Sequence, residues 1–399
     1  MPSFLPSRML ASHLVSSHRL ECIILMCGLL FLLTTSYFLW SQGASRLRRR
    51  LGIRVTPAKP GRGTAKGSDE GDTTLGPGNS ISGQRNVSSQ PRSMQVLNED
   101  TPTPAVNAQK RKLDPEDYTV GWICALRMEH FAACALLDEE HQGPEYVPGV
   151  ADTAYTLGRV GEHNVVIIVT SEACSNPASV AAQHLSCSFP NIRFGLMVGM
   201  GGGRQVQKHD VRLGDIVVGV ARGDSHGVFH YDLGKTMQDG SLHVTSVVNQ
   251  PPIFLRNTVD RLQFRYEIPG HQLQQTISSI LKGNPGLQTF KRPRPSADRL
   301  YRAEVTHPPG GESCETSCGT DPVKLVRRNE RDPFKSYPAV HYGVIASASQ
   351  IARDAFIRDK LVAEKNVVCF ETEATGLISH FPCLVIRSIY NYADSHNND

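Results

Sequence analysis

Residues 194–203 read Phe-Gly-Leu-Met-Val-Gly-Met-Gly-Gly-Gly, an apolar run that leads directly into a cluster of glycines. Phe194–Val198 has no polar position, so a strand built from it must bury both of its faces. Strands of this kind occur where helices cover a largely parallel sheet on its two sides. The stretch therefore predicts a layered α/β fold, with a glycine-rich turn at Gly199–Gly203 where the strand ends.

Six further apolar, β-rich runs predict the other strands of this sheet. They are Tyr118–Ala125, Val165–Thr170, Ile216–Ala221, Val340–Ala346, Val367–Phe370 and Leu384–Ile389. Helix-like stretches lie between several of them, at Met128–Leu137, Pro177–Ser186, Ala352–Glu364 and Glu371–His380. This alternation indicates an α/β fold with a substantially parallel sheet. Residues 284–337 are rich in Pro and Arg and lack periodicity, so we interpret them as an inserted loop.

The chain ahead of this core divides into segments of unlike composition. Residues 1–21 form an N-terminal tail, and residues 22–40 are an uncharged apolar run, just long enough for a helix that crosses a bilayer. Basic residues behind this run predict a single-pass membrane anchor with the C-terminal domain in the cytosol. A targeting segment and an N-terminus that does not belong to the working protein are the alternatives. Residues 41–117 contain no Phe, Trp, Tyr or Cys and predict a disordered linker. The globular domain is expected at 118–399.

The composition of the whole chain excludes several classes of protein. Hydrophobic residues make up 40% of the sequence, which supports a sizeable core and excludes a wholly disordered chain. Lys and Arg total 42 against 38 for Asp and Glu, a balance too even for a nucleic-acid-binding protein defined by its charge. The ten cysteines are scattered along a long chain, which is not the dense pattern of a disulfide scaffold.

Carboxylates, an amide and glycines follow four of the predicted strands at their carboxyl ends, where open α/β sheets bind ligands. These positions are Glu129, Gly199–Gly203, Glu371–Glu373 and Asn391–Asp394. A dinucleotide site is not expected at the glycines, because Arg204 stands where the GxGxxG motif needs its last glycine. The glycines either let backbone N–H groups approach an anion or a sugar, or form a purely structural turn.

The acidic candidates also admit a structural interpretation. Glu129, viewed alone, is an exposed acid in the first turn of a helix, where the helix dipole favours it. Glu371 and Glu373 stand two positions apart at a helix start, so at most one of them is expected to point into a given pocket.

A cysteine pair is the one arrangement that suggests a metal. Cys314 and Cys318, with His307 upstream, resemble half of a zinc site. No second Cys/His pair has suitable spacing in the sequence, so no metal is predicted, and no cofactor.

Three groups of motifs occur in order along the predicted domain. They are Tyr118–Leu126, then Ile192–Gly199 with Leu213–Val217, then Cys369–Ala374 with His380–Arg387. These motifs resemble the nucleoside phosphorylase superfamily, which includes purine and uridine phosphorylases and methylthioadenosine nucleosidases. They resemble more closely the phosphorylase-like domain at the front of fungal NOD-like receptor proteins. The resemblance implies a three-layer α/β/α sandwich around a mixed sheet that cleaves the N-glycosidic bond of a nucleoside.

The resemblance also implies a role for each candidate residue. Glycosidic cleavage passes through an oxocarbenium-like ribosyl cation. Glu373 matches the glutamate that holds the ribose hydroxyls, and Glu129 matches the glutamate that activates water in hydrolytic members. The remaining substrate-binding positions are Gly201, Gly202, Thr372 and Arg387. The implied partners are a purine nucleoside, water or phosphate as co-substrate, and a second copy of the chain.

The sequence departs from the family pattern at the position that should protonate the leaving base. Asn391 stands where purine-cleaving members carry an aspartate, and an amide has no acidic proton to give. Thr372 replaces a methionine, and the chain stops at Asp399 before the closing helix of the family; Asp394 is a possible substitute acid. Two main hypotheses stay open: an enzyme, with hydrolysis favoured over phosphorolysis by Glu129, or a catalytically impaired module that senses nucleosides or binds partners with the same pocket. A third is that the chain is an incomplete or fused version of a longer receptor-like protein.

Overall fold

The computed structural model describes residues 110–396, apart from gaps at 144–154, 171–176, 207–208, 222–225, 237, 239–241, 245–249, 291–294, 311–312, 333–336 and 379–380. The predicted tail, the predicted anchor at 22–40 and most of the predicted linker lie outside the described residues. Within the described part of the chain, no helix is both long and apolar enough to cross a bilayer. Residues 110–117, assigned to the linker from the sequence, include a turn of 3-10 helix at Pro115–Asp117 and the side chain of Leu113, which packs against the core.

All seven predicted strands and all four predicted helices are present, with shifted ends, so the α/β class is confirmed. The strands are β1 Val120–Cys124, β2 Glu139–Glu140, β3 Tyr155–Val160, β4 His163–Val169, β5 Phe194–Gly203, β6 Ile216–Gly219, β7 Val228–His230, β8 Gly234–Thr236, β9 Leu242–Val244, β10 Val340–Ser347, β11 Val367–Glu371 and β12 Cys383–Asn391. The helices are α1 Arg127–Cys134, α2 Pro177–Ser188, α3 Ile253–Glu267, α4 Leu273–Gly283, α5 Cys314–Ser317, α6 Ala355–Lys365 and α7 Ala374–Ile378.

The main sheet is mixed, as the resemblance implied. Its strands follow the order β11-β10-β6-β12-β5-β1-β4-β3-β2, and β7 pairs with β10. The pairs β1–β4, β1–β5, β5–β12, β6–β10 and β10–β11 are parallel. The pairs β6–β12, β3–β4 and β2–β3 are antiparallel. The short strands β8 and β9 form a separate antiparallel pair.

The end of β5 closes part of this sheet on itself. Gly202 and Gly203 pair antiparallel with Phe370 and Cys369 of β11, so β5, β12, β6, β10 and β11 form a closed ring. The predicted glycine-rich turn is therefore wrong, because these glycines continue the strand. A Cβ atom at Gly201 would lie 2.4 Å from the Sγ atom of Cys369. The missing side chains are what allow β11 to approach so closely.

The first strand shows why the fold buries both faces of its central strands. Each residue of β1 is buried, and Trp122 and Ile123 are wholly inaccessible. Helices α1 and α2 both pack against β1 and β4. At Gly121 a Cβ atom would lie 2.9 Å from the side chain of Leu185 in α2, so this glycine sets the close approach of helix to strand.

The segment 284–337 has little regular structure but is tied to the sheet. Arg331 Nη1 donates to Asp215 Oδ1 over 2.7 Å, and Asp215 is fully buried just before β6. Asp215 Oδ2 also lies 2.9 Å from Nε2 of His341. Burial alone would raise the pKa of Asp215, but the hydrogen bonds from Arg331 and His341 outweigh it and hold the pKa below its ordinary value. The described part of this segment is therefore fastened to the core through charged groups.

Candidate active site

A cavity of about 160 Å³ lies at the carboxyl ends of β5, β11 and β12, the edge of the sheet predicted to bind a ligand. Six of the predicted site residues line it: Glu129, Gly201, Gly202, Thr372, Glu373 and Asn391. The seventh, Arg387, is not among the described lining residues; it lies in β12 and is 1% exposed. Residues Ile351 and Ala352 also line the cavity. They follow β10, and no sequence signal marked them.

Arg387 holds the acidic residues of this cavity together. Its Nη2 atom donates to Oε2 of Glu371 and lies 3.0 Å from Oε2 of Glu373. Glu129 lies close enough to raise the pKa of this guanidinium as well. At Gly199 a Cβ atom would lie 2.3 Å from Arg387 Nη1 and 2.7 Å from Glu129 Oε1, so only glycine leaves room for this pair. Three carboxylates thus surround one guanidinium.

Glu129 is a buried residue of α1, so its interpretation as an exposed helix-start acid is wrong. Its Oε2 atom accepts the backbone N–H groups of Ala125, at 2.7 Å, and Leu126, at 3.0 Å. Its Oε1 atom accepts the N–H of Met200 in β5 at 3.0 Å. The carboxyl group therefore joins the start of α1 to the end of β5 while it lines the cavity.

The protonation of Glu129 is set mainly by its burial. Burial raises its pKa from 4.5 to about 7, against the opposing effect of Arg387 and of the backbone N–H groups. A carboxyl group with this pKa changes charge near neutral pH, as a general acid or base must.

The stability of the fold should therefore depend on pH through Glu129. Between pH 4.5 and about 7 the folded state holds a proton that the unfolded chain has released. The stabilising contribution of this proton on Glu129 is fully present below pH 4.5 and is lost as the pH rises through 7. We expect the difference in free energy of unfolding between wild type and Glu129→Gln, which cannot titrate, to fall by up to about 3 kcal/mol from pH 5 to pH 8.

Guanidinium unfolding of both chains across this pH range measures the difference. Glu364→Gln, at an exposed glutamate of α6, is the matched control and should show no such trend. If the free energy of unfolding of the wild type, relative to that of Glu129→Gln, stays constant or grows with pH, the folded protein keeps Glu129 ionised.

Glu371 and Glu373 both line the cavity, so the expectation that at most one does so is wrong. Glu371 is the last residue of β11 and accepts the N–H groups of Glu373 and Ala374, each at 3.0 Å, at the start of α7. Glu373 precedes the helix, and its Oε1 atom accepts the hydroxyl of Thr372 at 2.7 Å. The helical spacing argument fails because neither residue is helical.

The pKa values of these two carboxyl groups move in opposite directions. Burial raises the pKa of Glu371 above its ordinary value. Burial also acts against the charged form of Glu373, but Arg387 and the Thr372 hydroxyl outweigh it, so the pKa of Glu373 is lowered. Glu373, with 24% of its side chain exposed, is therefore the ionised acceptor that faces the cavity.

Asn391 ends β12 at an irregularity in its pairing with β5. Its Oδ1 atom accepts the N–H of Ala393 at 3.0 Å, and a Cβ atom at Gly202 would lie 2.7 Å from the same oxygen. The proposed substitute acid, Asp394, does not line the cavity among the described residues. It accepts the N–H of His396 at 2.9 Å and Nη1 of Arg358 at 3.1 Å instead.

The sequence argument against a metal site considered only residues that lie close together along the chain. It required a second Cys/His pair with suitable spacing along the chain. The structure places His396, 78 residues after Cys318, with its Nδ1 atom 3.4 Å from Cys318 Sγ.

No family model matches the chain. A nucleotide-binding leucine-rich repeat (NLR)-like protein from Hyaloscypha variabilis is 35% identical over 290 residues, which make up 73% of this chain and 28% of that protein. The predicted resemblance to a fungal NLR-like protein is confirmed. The present chain spans less than a third of the length of that relative.

Solved structures similar to this chain include two nucleosidases and a hydrolase, all at low sequence identity. The 5'-methylthioadenosine/S-adenosylhomocysteine nucleosidase from Neisseria meningitidis, in complex with methylthio-immucillin-A, has 13% identity and a TM-score of 0.41 over 69% of this chain and 87% of its own. The corresponding Streptococcus pneumoniae nucleosidase has 14% identity and a TM-score of 0.40 over 70% and 88%. Futalosine hydrolase of Helicobacter pylori has 13% identity and a TM-score of 0.40 over 71% and 88%.

Proposed function

We propose that this domain binds a purine nucleoside in the cavity at the ends of β5, β11 and β12 and hydrolyses its N-glycosidic bond. The observation that carries the proposal is the gathering of Glu129, Glu371 and Glu373 around Arg387 in a single cavity. A cavity lined by carboxyl groups, with Glu373 ionised, suits a reaction that develops positive charge on a ribosyl ring. The sequence motifs, which resemble the nucleoside phosphorylase superfamily, supply the substrate class.

Glu373 is the residue that we assign to the sugar. Its carboxylate is ionised, partly exposed and oriented by Thr372 and Arg387. Two oxygens that accept hydrogen bonds are what the neighbouring hydroxyls of a ribose need. Hydrogen bonds to a charged acceptor also strengthen as the ring gains positive charge in the transition state.

Water is favoured over phosphate as the co-substrate by the charge of the cavity. Among the described residues that line it there is no Arg or Lys, whereas three are glutamates. The one guanidinium beside it, that of Arg387, is already shared by these carboxyl groups, so the described lining offers a phosphate anion no free cation to pair with. Glu129, with a pKa of about 7, is the group that we assign to the activation of water.

Asn391 favours a second function, a nucleoside-sensing module without turnover. The residue occupies the cavity wall where the family resemblance expects a proton donor for the leaving base. Its amide can form hydrogen bonds with a base but cannot protonate it. The same geometry would then bind a nucleoside and not cleave it.

Replacing Glu373 by Ala tests the cavity assignment under either function. We expect nucleoside affinity to fall about 10- to 100-fold, because a hydrogen bond to a charged group contributes about 1.5–3 kcal/mol. Calorimetry on the full-length chain with adenosine, inosine and methylthioadenosine measures affinity. Chromatography of the free base, with and without phosphate, measures turnover.

The matched control is Glu364→Ala, at an exposed glutamate of α6, which should bind as the wild type does. Base release that Glu373→Ala abolishes would support the hydrolase, and saturable binding without release would support the sensor. Absence of both in the wild type and in Asn391→Asp would contradict the assignment of this cavity to nucleosides.

A further inference from the structure

Two cysteines and two histidines meet at a place that the nucleoside cavity does not use. His307, Cys314 and Cys318 come from the segment 284–337, and His396 follows β12. One nitrogen or sulfur atom of each residue lies within 4.8 Å of the corresponding atoms of the other three. The two cysteines and His396 are buried, and His307 is half-buried.

The distances between these atoms fit the edges of a tetrahedron around a zinc ion. His307 Nδ1 lies 3.2 Å from Cys318 Sγ and 3.4 Å from Cys314 Sγ. His396 Nδ1 lies 3.4 Å from Cys318 Sγ and 3.8 Å from Cys314 Sγ. Zn–S bonds of about 2.3 Å and Zn–N bonds of about 2.0–2.1 Å in tetrahedral geometry separate sulfur from nitrogen by about 3.5 Å.

The surroundings of His396 prepare it to be a ligand. Its Nε2 atom lies 2.8 Å from the carbonyl oxygen of Val305, where it can only donate a hydrogen bond. That bond leaves the lone pair on Nδ1, the atom that faces the two cysteines. A backbone carbonyl on the far ring nitrogen is the usual partner of a zinc-bound histidine. The ring is further held by stacking on Tyr301, with centroids 3.9 Å apart.

We propose that His307, Cys314, Cys318 and His396 together bind one Zn²⁺ ion. Two thiolates and two imidazoles are a donor set that zinc prefers, whereas calcium and magnesium prefer oxygen. All four positions are filled by protein, so the site has no open position for water and is structural. The proposal does not depend on the nucleoside assignment.

The zinc ion would join two parts of the chain that are distant in sequence. Cys318 and His396 are separated by 78 positions. His396 lies two residues beyond Asp394, which binds Arg358 of α6, and five beyond Asn391 in the cavity wall. The ion would therefore fasten the segment 284–337 to the chain that leaves the cavity.

Metal content and cobalt spectroscopy of the full-length chain test this site. We expect about one zinc per chain by mass spectrometry of protein purified under reducing conditions without chelators. After replacement by Co²⁺ we expect the intense visible absorption of a tetrahedral ion and a thiolate-to-metal charge-transfer band. These two measurements use the wild-type chain, so they do not depend on the folding of any variant.

Two variants and one control locate the ion. Cys318→Ser and His396→Gln should each reduce retained zinc at least about tenfold, because each removes a ligand from a closed site. Cys187→Ser, at an exposed cysteine of α2, should retain zinc as the wild type does. The proposal is overturned if wild type holds no more zinc than Cys318→Ser. It is also overturned if Co²⁺ gives only the weak spectrum of an octahedral ion, or if peptide mapping of the reduced preparation finds Cys314 and Cys318 joined as a disulfide.

Discussion

Asn391→Asp is expected to raise the rate of base release about 10²- to 10⁴-fold, the usual contribution of a positioned general acid. Asn391 ends β12 in the wall of the cavity and is 8% exposed, so a carboxyl group there would face a bound base. Its Oδ1 atom accepts the N–H of Ala393, and an aspartate can keep this hydrogen bond. The substitution therefore adds a proton donor with little change of shape.

The cavity should keep the new carboxyl group protonated near neutral pH. Glu129, Glu371 and Glu373 already share the single guanidinium of Arg387. A further acid among like charges has its pKa raised, since ionisation would add another negative charge to a buried site. A raised pKa is what a general acid requires at pH 7.

Turnover of adenosine and inosine by the full-length variant, followed by chromatography of the free base, measures the effect. Asn366→Asp, the same change at the exposed end of α6, is the control and should leave the rate unchanged. If the variant binds nucleoside as tightly as the wild type and still releases no base, Asn391 does not occupy the position of the proton donor.

Arg387→Met is expected to destabilise the fold by about 3–5 kcal/mol at neutral pH, the cost of removing one partner from a buried ion pair. Methionine has a similar length but no charge, so Glu371 would lose its ion-pair partner in a fully buried position. Glu129 and Glu373 would lose the group that now lowers the pKa of each. None of the described lining residues of the cavity carries a positive charge that could replace it.

The destabilisation caused by Arg387→Met should change with pH in a defined direction. Without the guanidinium the folded-state pKa values of Glu129 and Glu371 rise further above 4.5, and the lowered pKa of Glu373 rises as well. The folded variant then binds more protons than the folded wild type, so the destabilisation is smallest in acid and grows as the pH rises.

Guanidinium unfolding at several pH values measures this loss. Lys360→Met, at an exposed lysine of α6, is the control and should cost less than about 0.5 kcal/mol. Adding Glu371→Gln to Arg387→Met should recover part of the stability, because it removes one unpaired buried charge. If Arg387→Met lowers the free energy of unfolding only slightly and equally at every pH, the guanidinium of Arg387 does not stabilise the ionised carboxylates.

The strands of the core could be predicted from the sequence because they are buried on both faces. Runs such as Val165–Thr170 and Phe194–Val198 are apolar over almost their whole length. Strand β3 (Tyr155–Val160) was missed, because only half of its positions are buried and it contains Arg159. The extension of β5 through Gly203 was also missed, because glycines there signal a turn locally and strand pairing with β11 overrides that signal.

The strand ends that form the site could be predicted from the sequence, but the contacts between its side chains could not. The ends of β5, β11 and β12 do meet, as the rule for parallel strands implies. The sequence could not show that Arg387, four residues before Asn391, would be absent from the cavity lining and would pair with Glu371 instead. The pairing of His396 with Cys318 was equally hidden, since it depends on how a segment without periodicity packs.

The ring formed by β5, β12, β6, β10 and β11 also governs how the cavity fluctuates. A strand in an open sheet can detach at an edge, but a strand in a ring has neighbours on both sides. Backbone amides in these strands should therefore exchange with deuterium late and together, whereas those of the sheet edge at β2 exchange early. A ligand then meets walls that are already rigid, and little conformational entropy is lost when it binds.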